Sequence, residues 1–151
     1  MIGPQGKPTA AVALIERGPK TEWRYLDDGT QPAASWTSAA FDDNHWKQGR
    51  SPLGFGEPDV STEIGFGGNA EAKHLAAYLR RNFDFMEDPA RLRQLAVEMR
   101  IDDGVVVYLN GRELVRQNLP TGPITVRTQA IRRSKVTRRK FTSAISCPRP
   151  P

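Results

Sequence analysis

Three pairs of adjacent aspartates, at 27–28, 42–43 and 102–103, are the residues best suited to chemistry in this sequence. Ca²⁺ takes about six to eight oxygen ligands, which paired carboxylates and loop carbonyls could supply. Each pair is followed by Gly or Asn, however, and aspartates in such positions commonly accept hydrogen bonds from nearby backbone N–H groups. No pair has the spacing of an EF-hand loop. We therefore predict turns at all three places, with Asp42 and Asp43 as the remaining candidate calcium ligands and no other cofactor.

Nucleophilic and acid–base catalysis find little support in the sequence. His45 and His74 lie far apart, and no serine lies in a G-x-S-x-G elbow. The single cysteine, Cys147, excludes an internal disulfide and a cysteine-rich metal site. The glycines at 54–56 and 65–68 are not followed by the Lys-Ser or Lys-Thr of a phosphate-binding loop. We therefore predict a protein that is not an enzyme.

Exposed aromatic and arginine side chains are better candidates for binding a ligand. Phe55 and Phe66 lie in or beside glycine-rich segments, where a ring could stack on the apolar face of a sugar. Arg80 and Arg116 could donate hydrogen bonds to sugar hydroxyls, although an arginine at the end of a strand is usually just solvated. These four residues are the predicted ligand-binding candidates.

The other large aromatic residues are predicted to anchor the core. Trp46 follows Asp42-Asp43-Asn44, which has the pattern of a capped turn that would hold the indole ring inward. The predicted anchors, together with the turn residues of the central hairpin, are Trp23, Trp36, Phe41, Trp46, Tyr78, Tyr108, Asn110 and Gly111.

The best-determined stretch, residues 95–115, reads as a meander of three strands. Residues 95–101 alternate apolar and polar side chains, and Gly104 can take the positive φ of a tight turn. The β-branched and aromatic run that follows ends at Asn-Gly, the strongest short signal for a type I′ hairpin. In that hairpin Leu109 would face Arg112, and the next pair in register would be Val107 and Leu114.

Four further segments carry weaker strand patterns, at 10–15, 22–26, 74–85 and 124–131. The segment 57–73 is rich in glycine and contains few anchoring side chains. Few stretches have a helical pattern, and 13 Gly and 12 Pro in 151 residues indicate many turns. The predicted fold class is therefore all-β, as an antiparallel two-sheet sandwich.

The composition predicts one domain with two unstructured ends. Residues 1–9 form a flexible lead-in without a convincing signal peptide, 10–131 the β-sandwich module, and 132–151 a disordered basic tail. That tail holds seven of the 22 Lys and Arg residues and no acid, so it accounts for the net charge of +5. It could bind nucleic acid through phosphate neutralisation, whereas the rest of the chain should not. No apolar run approaches the roughly 18–20 residues of a membrane span.

Six sequence pieces between residues 22 and 128, taken in order, resemble one known module, the galactose-binding-domain-like jelly roll. The pieces are WRYLDDG (23–29), FDDNHW (41–46), PLGFG (52–56), YLRRNF (78–83), DDGVVVYLNG (102–111) and RQNLP (116–120). This family supplies accessory modules beside metallophosphoesterase and lamin-tail-like domains in large multidomain proteins.

The resemblance implies a non-catalytic binding or spacer module of a larger secreted or cell-surface protein. Glycans and the adjacent domains of that protein would be its partners. An alternative is the N-terminal accessory domain of a metallophosphoesterase, whose catalytic domain would be absent from this chain. Such modules usually end in a hydrophobic strand, which the basic residues 132–151 replace here. We therefore expect a fragment that lacks its closing strand, as a truncated or frame-shifted reading frame would produce.

Overall fold

The protein is all-β, as predicted. The computed structural model describes residues 13–19, 21–69, 71–88, 94–133 and 137–143. Within these ranges the helical structure is a single 3-10 turn, Ala34–Thr37. The strands are β1 (Glu22–Leu26), β2 (Lys47–Arg50), β3 (Leu53–Gly54), β4 (Thr62–Glu63), β5 (Tyr78–Arg80), β6 (Leu95–Ile101), β7 (Val105–Leu109), β8 (Arg112–Gln117) and β9 (Thr137–Ser143).

The strands pair mainly in antiparallel fashion. β1 lies between β2 and β5 in a three-stranded antiparallel sheet, and β6 pairs with β9, and β7 with β8, in antiparallel pairs. The short strands β3 and β4 pair in parallel. No helix in the part of the chain that the structure describes has the length and apolar character that a membrane crossing requires.

The hairpin between β7 and β8 forms at the predicted turn, with one difference in register. Asn110 and Gly111 have φ values of 49° and 82°, the left-handed conformations that a type I′ turn requires. Leu109 faces Arg112 as predicted, but Val107 faces Val115 instead of Leu114. The reason is a bulge between Val107 and Tyr108, which places one extra residue on β8 and shifts all later pairs.

The predicted three-strand meander is wrong in its first connection, because β6 pairs with β9 and not with β7. Gly104, between β6 and β7, does not have a positive φ. A Cβ at this position would lie 3.1 Å from the backbone oxygen of Asn118 and 3.1 Å from the Leu119 side chain. A side chain at this position would therefore be crowded by the segment after β8.

The prediction of a disordered tail is wrong for residues 137–143, which form β9. This strand pairs with β6 from Thr137 opposite Ile101 to Ser143 opposite Leu95, so the predicted lack of a later strand is also wrong. The sequence TRRKFTS has no apolar alternation, and its strand structure rests on the backbone ladder with β6. Residues 134–136 and 144–151 of the predicted tail lie outside the described residues.

Two weakly predicted strands are not found among the described residues. Residues 13–15 contain no strand, and 10–12 lie outside the described residues. Residues 124–131 contain a turn, in which Thr128 N–H donates to the Thr125 carbonyl at 3.0 Å. The Thr128 hydroxyl also accepts from Thr125 N–H at 2.8 Å, and such local threonine bonds compete with a strand ladder.

An aromatic cluster around Trp36 joins the β1 sheet to the β7–β8 hairpin. The Trp36 ring lies 6.4 Å from Trp46, 5.2 Å from Tyr78 and 5.6 Å from Tyr108, measured between ring centroids. Trp46 is 3% exposed and Tyr78 is 6% exposed. At the hairpin tip, Gly111 N–H donates to the Thr37 carbonyl at 2.8 Å. The core thus takes its largest rings from a loop, from β5 and from β7.

The two tyrosines of this cluster should make the fold sensitive to alkali. Burial raises the pKa of Tyr78, against a smaller opposite effect of its hydrogen bond to Gln31, and burial followed by the Glu113 charge raises the pKa of Tyr108. Unfolded tyrosines ionise near about pH 10. The folded state disfavours the phenolates, so the two neutral tyrosines contribute stability below about pH 10. This contribution is lost as the pH rises towards the folded-state pKa values.

We expect the urea midpoint of the wild type to fall between about pH 9 and 11. The double variant Tyr78→Phe/Tyr108→Phe should show a smaller fall over the same range, whatever its stability at neutral pH. Equal falls in the two proteins would show that these phenols do not cause the alkaline loss.

Candidate functional site

A buried carboxylate at the end of β1 organises the loops beside it. Asp27 is 4% exposed, and its Oδ1 accepts a hydrogen bond from the Lys47 ammonium at 2.7 Å. Its Oδ2 accepts from Gly65 N–H at 2.5 Å. The hydrogen bond to Asp27 raises the pKa of Lys47. Asp27 therefore fixes the start of the glycine-rich segment 65–68 against β1 and β2.

His74 closes the same loop from its other end. Its Nδ1 lies 2.9 Å from the Asp27 backbone carbonyl and must carry the proton, because a carbonyl can only accept. A Cβ at Gly29 or Gly67 would lie 2.7 or 2.5 Å from the imidazole ring, and both glycines have positive φ values, of 78° and 84°. His74 N–H also donates to the Phe66 carbonyl at 2.8 Å. The imidazole is thus held between two glycines that admit no side chain.

These contacts bring together three side chains, which we call the Phe–Lys cluster: Phe55, Phe66 and Lys73. The two rings have centroids 5.3 Å apart and planes tilted by 43°. The Lys73 Nζ lies 5.0 Å from the Phe55 centroid and 5.3 Å from the Phe66 centroid. Phe55 is 41% exposed, so part of its ring is accessible to solvent.

The β3–β4 pair places Phe55 beside the loop that carries Phe66. Phe55 directly follows β3, and Ile64 N–H, directly after β4, donates to the Gly54 carbonyl at 3.0 Å. Phe66 lies between Gly65, bonded to Asp27, and Gly67, packed on His74. Phe66 is therefore attached to backbone that is fixed on both sides, and Phe55 to backbone that is fixed at the end of β3.

The structure brings Phe55 and Phe66 together but separates both predicted arginines from them. The Arg80 side chain is 8% exposed, and its Nε donates to Asp43 Oδ2 at 2.8 Å. Its Nη1 donates to the Ser38 carbonyl at 3.1 Å and also to the Trp36 carbonyl. The guanidinium lies 5.0 Å from the Phe41 ring centroid. Arg80 therefore binds protein groups in place of the predicted ligand.

Arg116 also has a structural role. Its Nε and Nη2 donate to the two carboxylate oxygens of Glu113 at 2.8 and 2.6 Å, which lowers the pKa of Glu113. Its Nη1 donates to the Gly122 carbonyl at 3.0 Å and also to the Pro120 carbonyl. These bonds fasten the segment after β8 and leave little donor capacity for a ligand.

In the pairs at 27–28 and 42–43, one aspartate bonds the local backbone and the other binds a group that is distant in sequence. Asp42 Oδ1 accepts from Asn44 N–H at 3.0 Å, and Asp43 binds the buried arginine described above. Asp28 Oδ1 accepts from the backbone N–H of Thr30 at 2.9 Å and from its hydroxyl at 2.7 Å, and these bonds lower the pKa of Asp28. Among the described residues, no group of three or more His, Cys, Asp or Glu side chains could hold a metal ion.

The predicted anchors lie in two places. Trp23 is a half-buried residue of β1. The others belong to the aromatic cluster or to the hairpin turn that contacts it: Trp36, Phe41, Trp46, Tyr78, Tyr108, Asn110 and Gly111. Three residues of the site were not among the predicted site residues, namely Asp27, Lys73 and His74. Asp27 has only the signal of a turn residue, and no local pattern points to the other two.

The chain has no significant match among protein-family models, curated proteins or solved structures. The galactose-binding-like jelly roll therefore stays a prediction from the sequence.

Proposed function

We propose that this protein is a non-catalytic accessory module that binds carbohydrate through the Phe–Lys cluster. The single observation that carries the proposal is the meeting of Phe55 and Phe66, two rings from separate segments, at a centroid distance of 5.3 Å with one ring 41% exposed. The sequence resemblance supports the same proposal, with a galactose-binding-like jelly roll as the fold and a larger secreted or cell-surface protein as the parent.

Exposed phenyl rings can bind the apolar C–H face of a sugar, because the contact removes apolar surface of both partners from water. The surface beside the cluster is open. A Cβ at Gly56 or at Gly68 would meet no atom within 4 Å, so neither loop covers the rings with its own side chains there. The fixed backbone also favours binding, since little ordering of the loop is then required when a ligand arrives.

A glycan array probed with the full chain tests the proposal, followed by titration of the best glycan. Phe55→Ala and Phe66→Ala should each weaken binding at least tenfold. Leu75→Ala is the matched control, because Leu75 is an apolar residue with 52% exposure outside the cluster, and it should bind as the wild type does. Urea midpoints of all variants show whether each one is folded.

Two results would contradict the proposal. If no glycan binds the wild type, the function is wrong. If a glycan binds and the folded phenylalanine variants retain full affinity, the site is wrong.

A further inference from the structure

We infer that the carbohydrate ligand is acidic, with a carboxylate or sulfate that pairs with the ammonium group of Lys73. The inference rests on the proposed function and adds the chemical class of the ligand. The observation behind it is a cation held against the exposed ring of Phe55 and the half-buried ring of Phe66, without an acidic partner among the described residues.

The position of the ammonium is defined by the two rings. The Lys73 Nζ and the two phenyl centroids form a nearly equilateral triangle with sides of 5.0, 5.3 and 5.3 Å. The ammonium therefore lies in the wedge between the tilted rings. A cation–π contact of this kind holds the flexible side chain in place but does not neutralise its charge. The three N–H donors of the ammonium also find no carboxylate acceptor there.

Lys73 differs in this respect from six other cations of the described structure. Each of those forms an ion pair with a described acid: Arg17 with Glu98, Lys47 with Asp27, Arg50 with Glu22, Arg80 with Asp43, Arg100 with Asp59 and Arg116 with Glu113. The acids nearest to the cluster in sequence, Glu57 and Glu71, are both exposed and form no ion pair with Lys73. The charge of Lys73 thus remains available to an anion.

The backbone of Lys73 is fixed on both sides. Ala72 N–H donates to the Asn69 carbonyl at 3.1 Å, and His74 is bound to Phe66 and Asp27 as described above. A sugar stacked on Phe55 would therefore meet a positive charge at a set distance from its ring. An acidic sugar would gain both the stacking contact with Phe55 and the ion pair with Lys73. Its neutral analogue would gain only the stacking contact, so the site would select the acidic sugar.

Two pairs of probes that differ only in charge test the inference on the full chain. The first pair is polygalacturonate and its methyl-esterified form, and the second is dextran sulfate and dextran. We expect the acidic member of at least one pair to bind about tenfold more tightly, with a preference that declines as salt is added. Lys73→Gln should reduce the affinity for the acidic member to that for the neutral one. Lys73→Arg should keep most of the preference.

Arg127→Gln is the matched control, because Arg127 is exposed and forms no ion pair with a described residue. It should bind both members as the wild type does. If the wild type binds glycans through the phenylalanines with no acidic preference, the inference fails and the proposed function stands. If the preference survives Lys73→Gln, another group of the protein binds the anionic substituent and the inference also fails. If no array glycan binds at all, the proposed function fails with it.

Discussion

Trp46→Ala should remove most of the stability of the fold, with an expected loss of about 3–5 kcal/mol in the free energy of unfolding. The indole is 3% exposed and packs between Trp36, at 6.4 Å, and Phe41, at 5.8 Å between ring centroids. Its removal leaves a cavity in the centre of the aromatic cluster. Domains of this size are commonly stable by only about 5–15 kcal/mol, so the variant should be largely unfolded in mild urea.

Trp46→Phe is the informative control. The buried indole Nε1 has no hydrogen-bond partner among the described residues, so replacing the indole by a phenyl ring breaks no hydrogen bond. An unpartnered buried N–H is itself unfavourable by about 1–3 kcal/mol, which offsets part of the lost volume. We therefore expect Trp46→Phe to unfold near the wild-type urea midpoint. Far-UV circular dichroism measures the unfolding of both proteins. An unshifted midpoint for Trp46→Ala would instead mean that the ring lies at the surface and is available to a ligand.

Arg80→Met should cost about 3–5 kcal/mol, because it removes one partner of a largely buried ion pair. The Arg80 and Asp43 side chains are 8% and 16% exposed. Methionine fills much of the same volume, so the loss comes mainly from the carboxylate of Asp43 and from the carbonyls of Trp36 and Ser38, which all lose their donor. Arg112→Met is the control, because Arg112 is an exposed strand arginine with no described ion pair.

The double variant Arg80→Met/Asp43→Asn separates the charge from the packing. If the buried charge dominates, neutralising Asp43 in the Arg80→Met background should restore part of the lost stability, and the two substitutions should be non-additive by about 1 kcal/mol or more. Additive losses would show that Arg80 acts mainly through its other contacts. A wild-type midpoint for Arg80→Met would return Arg80 to the list of ligand candidates.

Local sequence signals predicted the parts of the fold that local chemistry decides. The Asn110-Gly111 turn was readable because few residue pairs adopt two consecutive left-handed conformations. The Asp42–Asn44 turn was readable because an aspartate carboxylate bonds the backbone two residues later. The bulge at Val107 was not readable, since Val106, Tyr108 and Val115 around it suit a strand in either register.

The contacts that form the candidate site could not be predicted from local sequence signals. Phe55 and Phe66 could each be named from their glycine-rich surroundings, but their contact depends on the pairing of β3 with β4 and on the carboxylate of Asp27. Gly65 lies 38 residues from Asp27 in sequence, and no sequence pattern predicts a contact over that separation. The bonds of Arg80 were not readable for the same reason, because its acceptors lie 37 to 44 residues away in sequence, whereas those of Arg116 lie only three to six residues away.

The aromatic cluster also affects how the chain must be made in the cell. Trp36 and Trp46 contact Tyr78 and Tyr108, directly or through one another, and these tyrosines leave the ribosome much later. At synthesis rates of about 5–20 residues per second, roughly 4–14 s separate the translation of Trp36 from that of Tyr108. During that interval the two indoles of the nascent polypeptide lack the tyrosine rings that they pack against in the folded protein. Rapid overproduction should therefore favour inclusion bodies, and slower translation at low temperature, or a holdase that shields the early segment, should favour soluble protein.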